Sequence, residues 1–426
     1  MMTNGASQNL KRILVLSNRY YPHYKGGYSL ECKAITDELI KRGYNVQILT
    51  SNWQIPKRRV DGNVYRLLHI RESVSQHPLY RRWQHLHWAL ISRIDYGIAR
   101  RLIQSLSPDI VYVWNMGHLS LSPLVAAQDL DLPLVFALAD YWLLQHYRVL
   151  CLEPNRCKRS YRLFVHGLKL FDPIRFPYFI ANNPVLKHHY VKAGFPAEHI
   201  SVIPAGLQTH FILDTPSPSA DRPTIELLYA GRLSEEKGIP YAIQTVALLD
   251  QELTSELGKP AHLDIVGAGG PSYERHLREL VASLNLEQKV RFIGKLPQEE
   301  LINRYQHYDA VLMPYTWVEP FGGISIEAMA QGACVIASDH GGPAEIITHR
   351  HDGLLVPPKD PRAIAQAVID LVQHQDLRDH IRHAAIATVR ERYALDKVGD
   401  QVEAYLNAAL ADHQRRNREK QTLCAS

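Results

Sequence analysis

Two apolar patterns alternate along this chain of 426 residues. Short unbroken runs, such as Ile13-Leu14-Val15-Leu16 and Leu134-Val135-Phe136-Ala137-Leu138, read as strands buried on both faces. Between them lie stretches with apolar residues three or four apart. In 28–42, for example, Leu30, Ala34, Ile35 and Leu39 share one face before Gly43 stops the helix. The pattern predicts strands at 11–17, 46–50, 109–114, 134–138, 179–181 and 200–203, with helices at 28–42, 77–102 and 185–192. A breaker-rich segment follows, Thr-Pro-Ser-Pro-Ser-Ala-Asp-Arg-Pro at 215–223. Beyond it strands are expected at 225–229, 262–266, 290–292, 310–313, 334–337 and 354–356. Helices are expected at 240–253, 272–284, 297–306, 324–331, 343–347 and 361–374. The chain is therefore read as α/β, with Rossmann-like doubly wound parallel sheets in two domains. The expected limits are 1–214, a linker at 215–224, a second domain at 225–395, and a C-terminal helix and frayed polar tail at 396–426.

Candidate chemistry gathers at turns that follow strands. The stretch 318–337 opens with Glu319, passes through Pro320-Phe321-Gly322-Gly323, and enters a helix carrying Glu327. Adjacent glycines at such a turn let backbone approach a ligand and free the first amides of the helix. Glu327 lies about one turn in, so both carboxylates can serve one cleft at the carboxyl edge of a sheet. A second loop, Gly231-Arg232-Leu233-Ser234-Glu235-Glu236-Lys237-Gly238, spaces two cations as a diphosphate needs; surface ion pairs with Glu235 or Glu236 are the plainer alternative. Gly26-Gly27 ends the first loop, in an order that is not the dinucleotide Gly-x-Gly-x-x-Gly. His118 and Asp140 stand just past two strands. Asp129-Leu130-Asp131 mimics a metal motif but precedes Pro133 in a turn, and is read as structural.

Glu319-x-Phe321-Gly322, four residues, then Glu327-Ala328 resembles the E-x-F-G-x4-E-A motif of retaining family-4 glycosyltransferases. The 231–238 loop resembles that family's G-R-L-x3-K-G, and Leu-Asp-Ile-Val-Gly-Ala-Gly-Gly at 263–270 its strand-and-glycine segment. The resemblance spans nearly the whole chain, more loosely in the first half. It implies the GT-B architecture: two Rossmann-like domains across a cleft, with the last helix returning to the first. It also implies metal-independent transfer of a sugar from a nucleotide-diphosphate sugar, UDP- or GDP-linked, to a hydroxyl acceptor. By the same resemblance Arg232 and Lys237 neutralise the diphosphate, Glu319 holds sugar hydroxyls and Glu327 the ribose. The amides of Phe321, Gly322 and Gly323, with Gly231, Gly26 and Gly27, place donor groups, and Lys295 lies where the family contacts the base. The family's second strand ends in His-Asp. This chain has Ala139 before Asp140, and His118 is the candidate to take over part of that role. The departure motivates an alternative, a low-activity nucleotide-sugar-binding scaffold or partner subunit.

Charge changes the picture in the first half. Residues 1–205 hold 26 Lys and Arg against 13 Asp and Glu, a net +13, while the whole chain carries only +5. A basic helix interleaved with aromatics, containing Arg81, Arg82, Trp83 and Trp88, fits an anionic membrane surface, and a solvated basic face fits the same pattern. No nucleic-acid motif is present, and nucleic acid is not an expected partner. The five cysteines include no C-x-x-C pair, so neither a disulfide framework nor a metal site is expected. No leader is read at 1–12 and no apolar run reaches membrane-spanning length. The expected place is the cytoplasm, with peripheral contact at the inner membrane face.

Overall fold

The computed structural model describes residues 10–24, 26–71, 78–147, 178–217 and 222–425, with side chains other than those of 78–90, 145–147, 251–257, 424 and 425. The chain divides into two compact units, Met1–Gly206 with Val398–Ser426, and Leu207–Lys397.

The main elements of the first unit are β1 (Arg12–Ser17), α1 (Gly27–Lys41), β2 (Asn45–Ser51), β3 (Arg59–Asp61), β4 (Val64–Leu68), α2 (Pro78–Leu106), β5 (Ile110–Val113), α3 (Ser122–Asp129), β6 (Leu134–Leu138), α4 (Trp142–Tyr147), β7 (Tyr178–Ala181), α5 (Pro184–Lys192) and β8 (Ile200–Val202). The sheet order is β3-β4-β2-β1-β5-β6-β7-β8. Only β3 runs antiparallel, against β4. Strand β1 is central: Val15 pairs with Ile48 on one side and Tyr112 on the other, and Leu14, Val15 and Leu16 are wholly buried. The apolar runs are strands because helices cover both faces.

The hairpin β3–β4 is a feature that sequence patterning did not foresee. Its signal is disguised by Arg66, which is 2% exposed, donates from Nη1 to the Tyr20 carbonyl (3.1 Å) and pairs through Nε with Asp61 (3.1 Å). The backbone of α2 follows the helix expected at 77–102. The side chains of Arg81, Arg82, Trp83 and Trp88, on which the membrane expectation rests, lie outside the described residues.

The second unit contains β9 (Ile225–Ala230), α6 (Ile239–Leu257), β10 (Ala261–Val266), α7 (Pro271–Ser283), β11 (Val290–Gly294), α8 (Gln298–Tyr305), β12 (Ala310–Met313), α9 (Gly323–Ala330), β13 (Val335–Ser338), α10 (Gly341–Ile346), β14 (Leu354–Val356), α11 (Pro361–Gln373) and α12 (Gln375–Arg392). Its sheet is parallel throughout, in the order β11-β10-β9-β12-β13-β14. The core fills both faces, with Leu227, Ile243, Leu263 and Ile336 almost fully buried.

Two boundaries differ from expectation. The first falls at 206/207 and not 214/215, because 207–213 is hydrogen-bonded into the second unit. Leu207 N donates to Tyr393 O (2.8 Å), Leu213 N to Ala330 O (3.0 Å), and Gln331 Nε2 to Phe211 O (2.7 Å). The second falls at 397/398, inside α13 (Leu395–Ala425). From Val398 this helix belongs to the first unit, where Arg42 pairs with Asp400 (2.7 Å) and Glu403 (2.8 Å), and Tyr178 donates to Asp412 (2.7 Å). The tail expected to fray continues as helix to Ala425.

Candidate active site

Every candidate group of the second unit follows the carboxyl end of a strand: Gly231 after β9, Gly267 after β10, Lys295 after β11, Glu319 after β12, and Gly341 after β13. Open α/β sheets bind ligands at this edge, where the strand order reverses. Here the reversal lies between β9 and β12, which are neighbours in the sheet although β10 and β11 come between them along the chain.

The loop after β9 is clamped by backbone on both sides. Leu233 N donates to Ala268 O (3.0 Å), and a Cβ on Gly267 would sit 1.8 Å from the Gly231 oxygen. The short turn Glu235–Lys237 ends at Gly238, left-handed at φ 68°, where a Cβ would sit 1.8 Å from the Pro314 oxygen. Thr316 N donates to Glu236 O (3.0 Å). This fixes Lys237 against the loop after β12. Its Nζ lies 2.6 Å from Glu319 Oε2 and 4.4 Å from the centre of the Tyr315 ring. Trp317 Nε1 donates to the same Glu319 oxygen (2.8 Å). The two charged side chains are 12% and 15% exposed, so the pair is largely withdrawn from water. Arg232 is placed differently. It is 66% exposed and pairs with Glu236 (3.0 Å), the surface pairing that sequence left as its alternative.

Glu327, one turn into α9, is half-buried and accepts from Gln298 Nε2 (2.6 Å) and Tyr305 OH (3.3 Å). Burial pushes its pKa up and the two neutral donors pull it back in part. Phe321 is buried, its ring edge toward Tyr393 at 6.3 Å. Gly322 is left-handed at φ 84° and begins α9 with Gly323. Lys295 is exposed beside the glycine loop, where Gly267 N donates to Gly294 O (2.9 Å).

Sequence reasoning passed over the residues that brace Glu319. Gly342 N donates to Glu319 O (2.7 Å), His340 Nε2 to Trp317 O (2.7 Å), and a Cβ on Gly342 would lie 2.1 Å from the Phe321 oxygen. The signal was present: His340-Gly341-Gly342 follows a strand, as Gly26-Gly27 does. Gln298, Tyr305, Tyr315 and Trp317 carried none, since an isolated polar or aromatic residue is mostly packing.

In the first unit the candidates lie at the corresponding edge. Gly26 (φ 84°) and Gly27 open α1 and are exposed. Asp140, half-buried, accepts from Asn115 Nδ2 (3.1 Å) and from Trp142 N (2.8 Å), and burial raises its pKa against that amide. His118 is exposed at φ 67°, and its carbonyl accepts from Arg71 N (2.9 Å). Asp129 accepts from Tyr96 OH (2.6 Å) and Asp131 from Asn417, so both carboxylates are used in packing.

Two Rossmann-like parallel-sheet units with candidate groups at their carboxyl edges define the GT-B fold class. The model of glycosyltransferase family 4 matches residues 26–211, and that of glycosyl transferases group 1 matches 215–388. The chain belongs to this glycosyltransferase family. An uncharacterized glycosyltransferase of Methanocaldococcus jannaschii is 24% identical, over 91% of this chain and 95% of its own. A D-inositol 3-phosphate glycosyltransferase of Corynebacterium jeikeium is 36% identical, over 35% of this chain and 36% of its own. The structure of Anabaena HepE in complex with UDP-glucose has a TM-score of 0.65 at 21% identity, over 93% of this chain and 99% of that one. Among the described residues, no helix is long and apolar enough to cross a membrane.

Proposed function

We propose that the protein is a retaining glycosyltransferase that moves a sugar from a nucleotide-diphosphate sugar, UDP-linked, to a hydroxyl acceptor without a metal. One observation carries this reading. Both motif carboxylates stand at the carboxyl edge of the second sheet in different electrostatic states. Glu319 is neutralised by Lys237, and Glu327 is held by neutral donors. A diphosphate competes with Glu319 for the Lys237 ammonium, which leaves Glu319 free to accept from sugar hydroxyls. Glu327 accepts from ribose hydroxyls, in exchange for Gln298 or Tyr305. The pair thus trades one internal partner for one ligand group at each carboxylate. Arg232 is exposed enough to turn from Glu236 to a phosphate. The UDP-glucose complex of the similar HepE fold supports the donor class. Retention then follows from front-face attack, with the departing phosphate accepting the acceptor's proton.

Calorimetric titration of UDP and GDP into wild type and Glu327→Ala tests the donor site. UDP is expected to bind wild type and to lose about tenfold to a hundredfold in affinity in the variant, the loss of one or two charge-assisted hydrogen bonds. Failure of wild type to bind either nucleotide sinks the reading. Slow hydrolysis of UDP-sugar without acceptor separates an enzyme from a scaffold that only binds.

A further inference from the structure

The Glu319 carboxylate is gripped at one of its two oxygens. Lys237 Nζ (2.6 Å) and Trp317 Nε1 (2.8 Å) both reach Oε2. Among the described residues no donor reaches Oε1. An ionised carboxylate offers about four acceptor positions over its two oxygens, so the doubled grip on one leaves the other open to a ligand.

The backbone explains this crowding. The loop after β12 is pinned at three points. Thr316 N donates to Glu236 O (3.0 Å), His340 Nε2 to Trp317 O (2.7 Å) and Gly342 N to Glu319 O (2.7 Å). Trp317 and Glu319 are partly buried, while Val318 between them is 42% exposed. The alternation puts indole and carboxylate on one side of the chain, where they meet.

A ligand acts differently on the two grips. The Lys237 ammonium is a point charge on a flexible stem, and a diphosphate competes for it. The indole N–H is neutral, sits on a rigid ring and can only donate. When Lys237 turns to phosphate, the indole is the contact that keeps Oε2. Glu319 then stays in place with Oε1 free for sugar hydroxyls, and does not follow the ammonium. The E-x-F-G-x4-E-A pattern begins at Glu319 and makes no demand on residue 317.

We propose that Trp317 is a positioning residue of the donor site, whose indole N–H keeps Glu319 set for the donor sugar after the diphosphate has taken Lys237. The proposal deepens the donor-site reading and rests on it for the sugar.

The first arm of the test needs no nucleotide. In full-length protein labelled with ¹⁵N-tryptophan, Trp317→Phe assigns the indole resonance, and Glu319→Ala shows it without its acceptor. Lys237→Met keeps the length of the side chain and removes its charge, as loss to a diphosphate does. The Trp317 N–H is expected to stay protected from exchange with water in Lys237→Met and to lose protection in Glu319→Ala. Loss of protection in Lys237→Met overturns the proposal, since the indole then holds Glu319 only while the ion pair does.

The second arm compares UDP binding with hydrolysis in Trp317→Phe, which keeps an aromatic ring near the ammonium and removes the N–H. Hydrolysis is followed with whichever of UDP-glucose, UDP-galactose and UDP-N-acetylglucosamine wild type turns over fastest. UDP affinity is expected to stay within about twofold of wild type and kcat to fall about tenfold or more, the loss of one hydrogen bond to a charged group. A packing defect lowers both together, so a parallel fall overturns the proposal, as does an unchanged kcat. The arms use different variants, so a folding failure in one leaves the other decisive. Where wild type binds no UDP or turns over none of the three sugars, the donor reading is at fault, and the Lys237→Met spectrum alone decides this one.

Discussion

Each sheet has one place where its strand order turns back, and the two places are furnished differently. In the first unit it lies between β1 and β5, and amides close it. Asn18 N donates to Asn115 O (2.6 Å) and Asn18 Nδ2 to Gly117 O (2.7 Å). In the second it lies between β9 and β12, and the ion pair Lys237–Glu319 closes it. Amides present dipoles, which suit neutral hydroxyls. A withdrawn ion pair presents charge for which an incoming phosphate can compete. One fold, used twice in one chain, thus offers two chemistries at the same topological position.

The glycines divide along the same line. In the second unit three glycines of the loops around the site are demanded by the protein itself. A Cβ on Gly238, Gly267 or Gly342 would overlap backbone at 1.8, 1.8 and 2.1 Å. In the first unit an added Cβ on Gly26 or Gly27 meets nothing within 4 Å. Gly26 is still required by its φ of 84°, but no positive φ holds Gly27. Gly238, Gly267 and Gly342 therefore report on loop packing, and Gly27, like Gly270 and Gly323 of the second unit, is a glycine whose identity the fold leaves unexplained.

The largest effect that tests this division is Gly238→Ala. The left-handed backbone and the overlap with Pro314 together cost about 3–5 kcal/mol. Urea denaturation is expected to show that loss, and nucleotide binding is expected to fall with it because Lys237 is displaced. A variant as stable as wild type contradicts the clamp.

A second contrast lies in two half-buried carboxylates. Glu327 has two hydrogen-bond donors, whereas Glu31 has burial and the Asp140 carboxylate set against its charge. The Glu31 pKa rises from 4.5 to about 8 on folding. Folded protein then holds a proton that unfolded chain releases, so stability is full below about pH 4.5 and is lost as pH rises through 8. Glu31→Gln removes this dependence. After allowance for the hydration a half-buried side chain keeps, wild type is expected to lose roughly 2 kcal/mol more than the variant between pH 5 and pH 9. Equal pH profiles by chemical denaturation count against a neutral Glu31.

The alternation of strands and helices was legible because strands covered on both faces have to be apolar throughout. The β3–β4 hairpin was not, since a buried arginine interrupts its pattern and its solution is tertiary. Strand order was equally hidden: alternation says that a sheet is parallel, and does not say that β9 adjoins β12. Spacing named Lys237 and Glu319 separately, and only the fold puts them 2.6 Å apart. Spacing also treated Arg232 and Lys237 as equals. One is withdrawn and the other exposed, a difference set by the Tyr315 ring and the Pro314 backbone, some eighty residues along the chain. His340 and the Gly341-Gly342 pair drew no reading of their own, because their partner, the backbone of 317–321, is invisible to local pattern.

The smallest effect on stability is also the most discriminating. Gly27→Ala places a methyl group in open space at the first residue of α1, in a conformation that alanine adopts freely. Alanine narrows the unfolded ensemble and favours helix, so stability is expected to hold or to rise by about 0.5–1 kcal/mol. If Gly27 is glycine so that a ligand phosphate can reach the amides at the start of α1, the same methyl group stands in its way. UDP-sugar turnover is then expected to fall about tenfold in a protein at least as stable as wild type. Unchanged turnover means that Gly27 merely tolerates its place, and phosphate recognition then belongs to the Lys237 edge of the second unit alone.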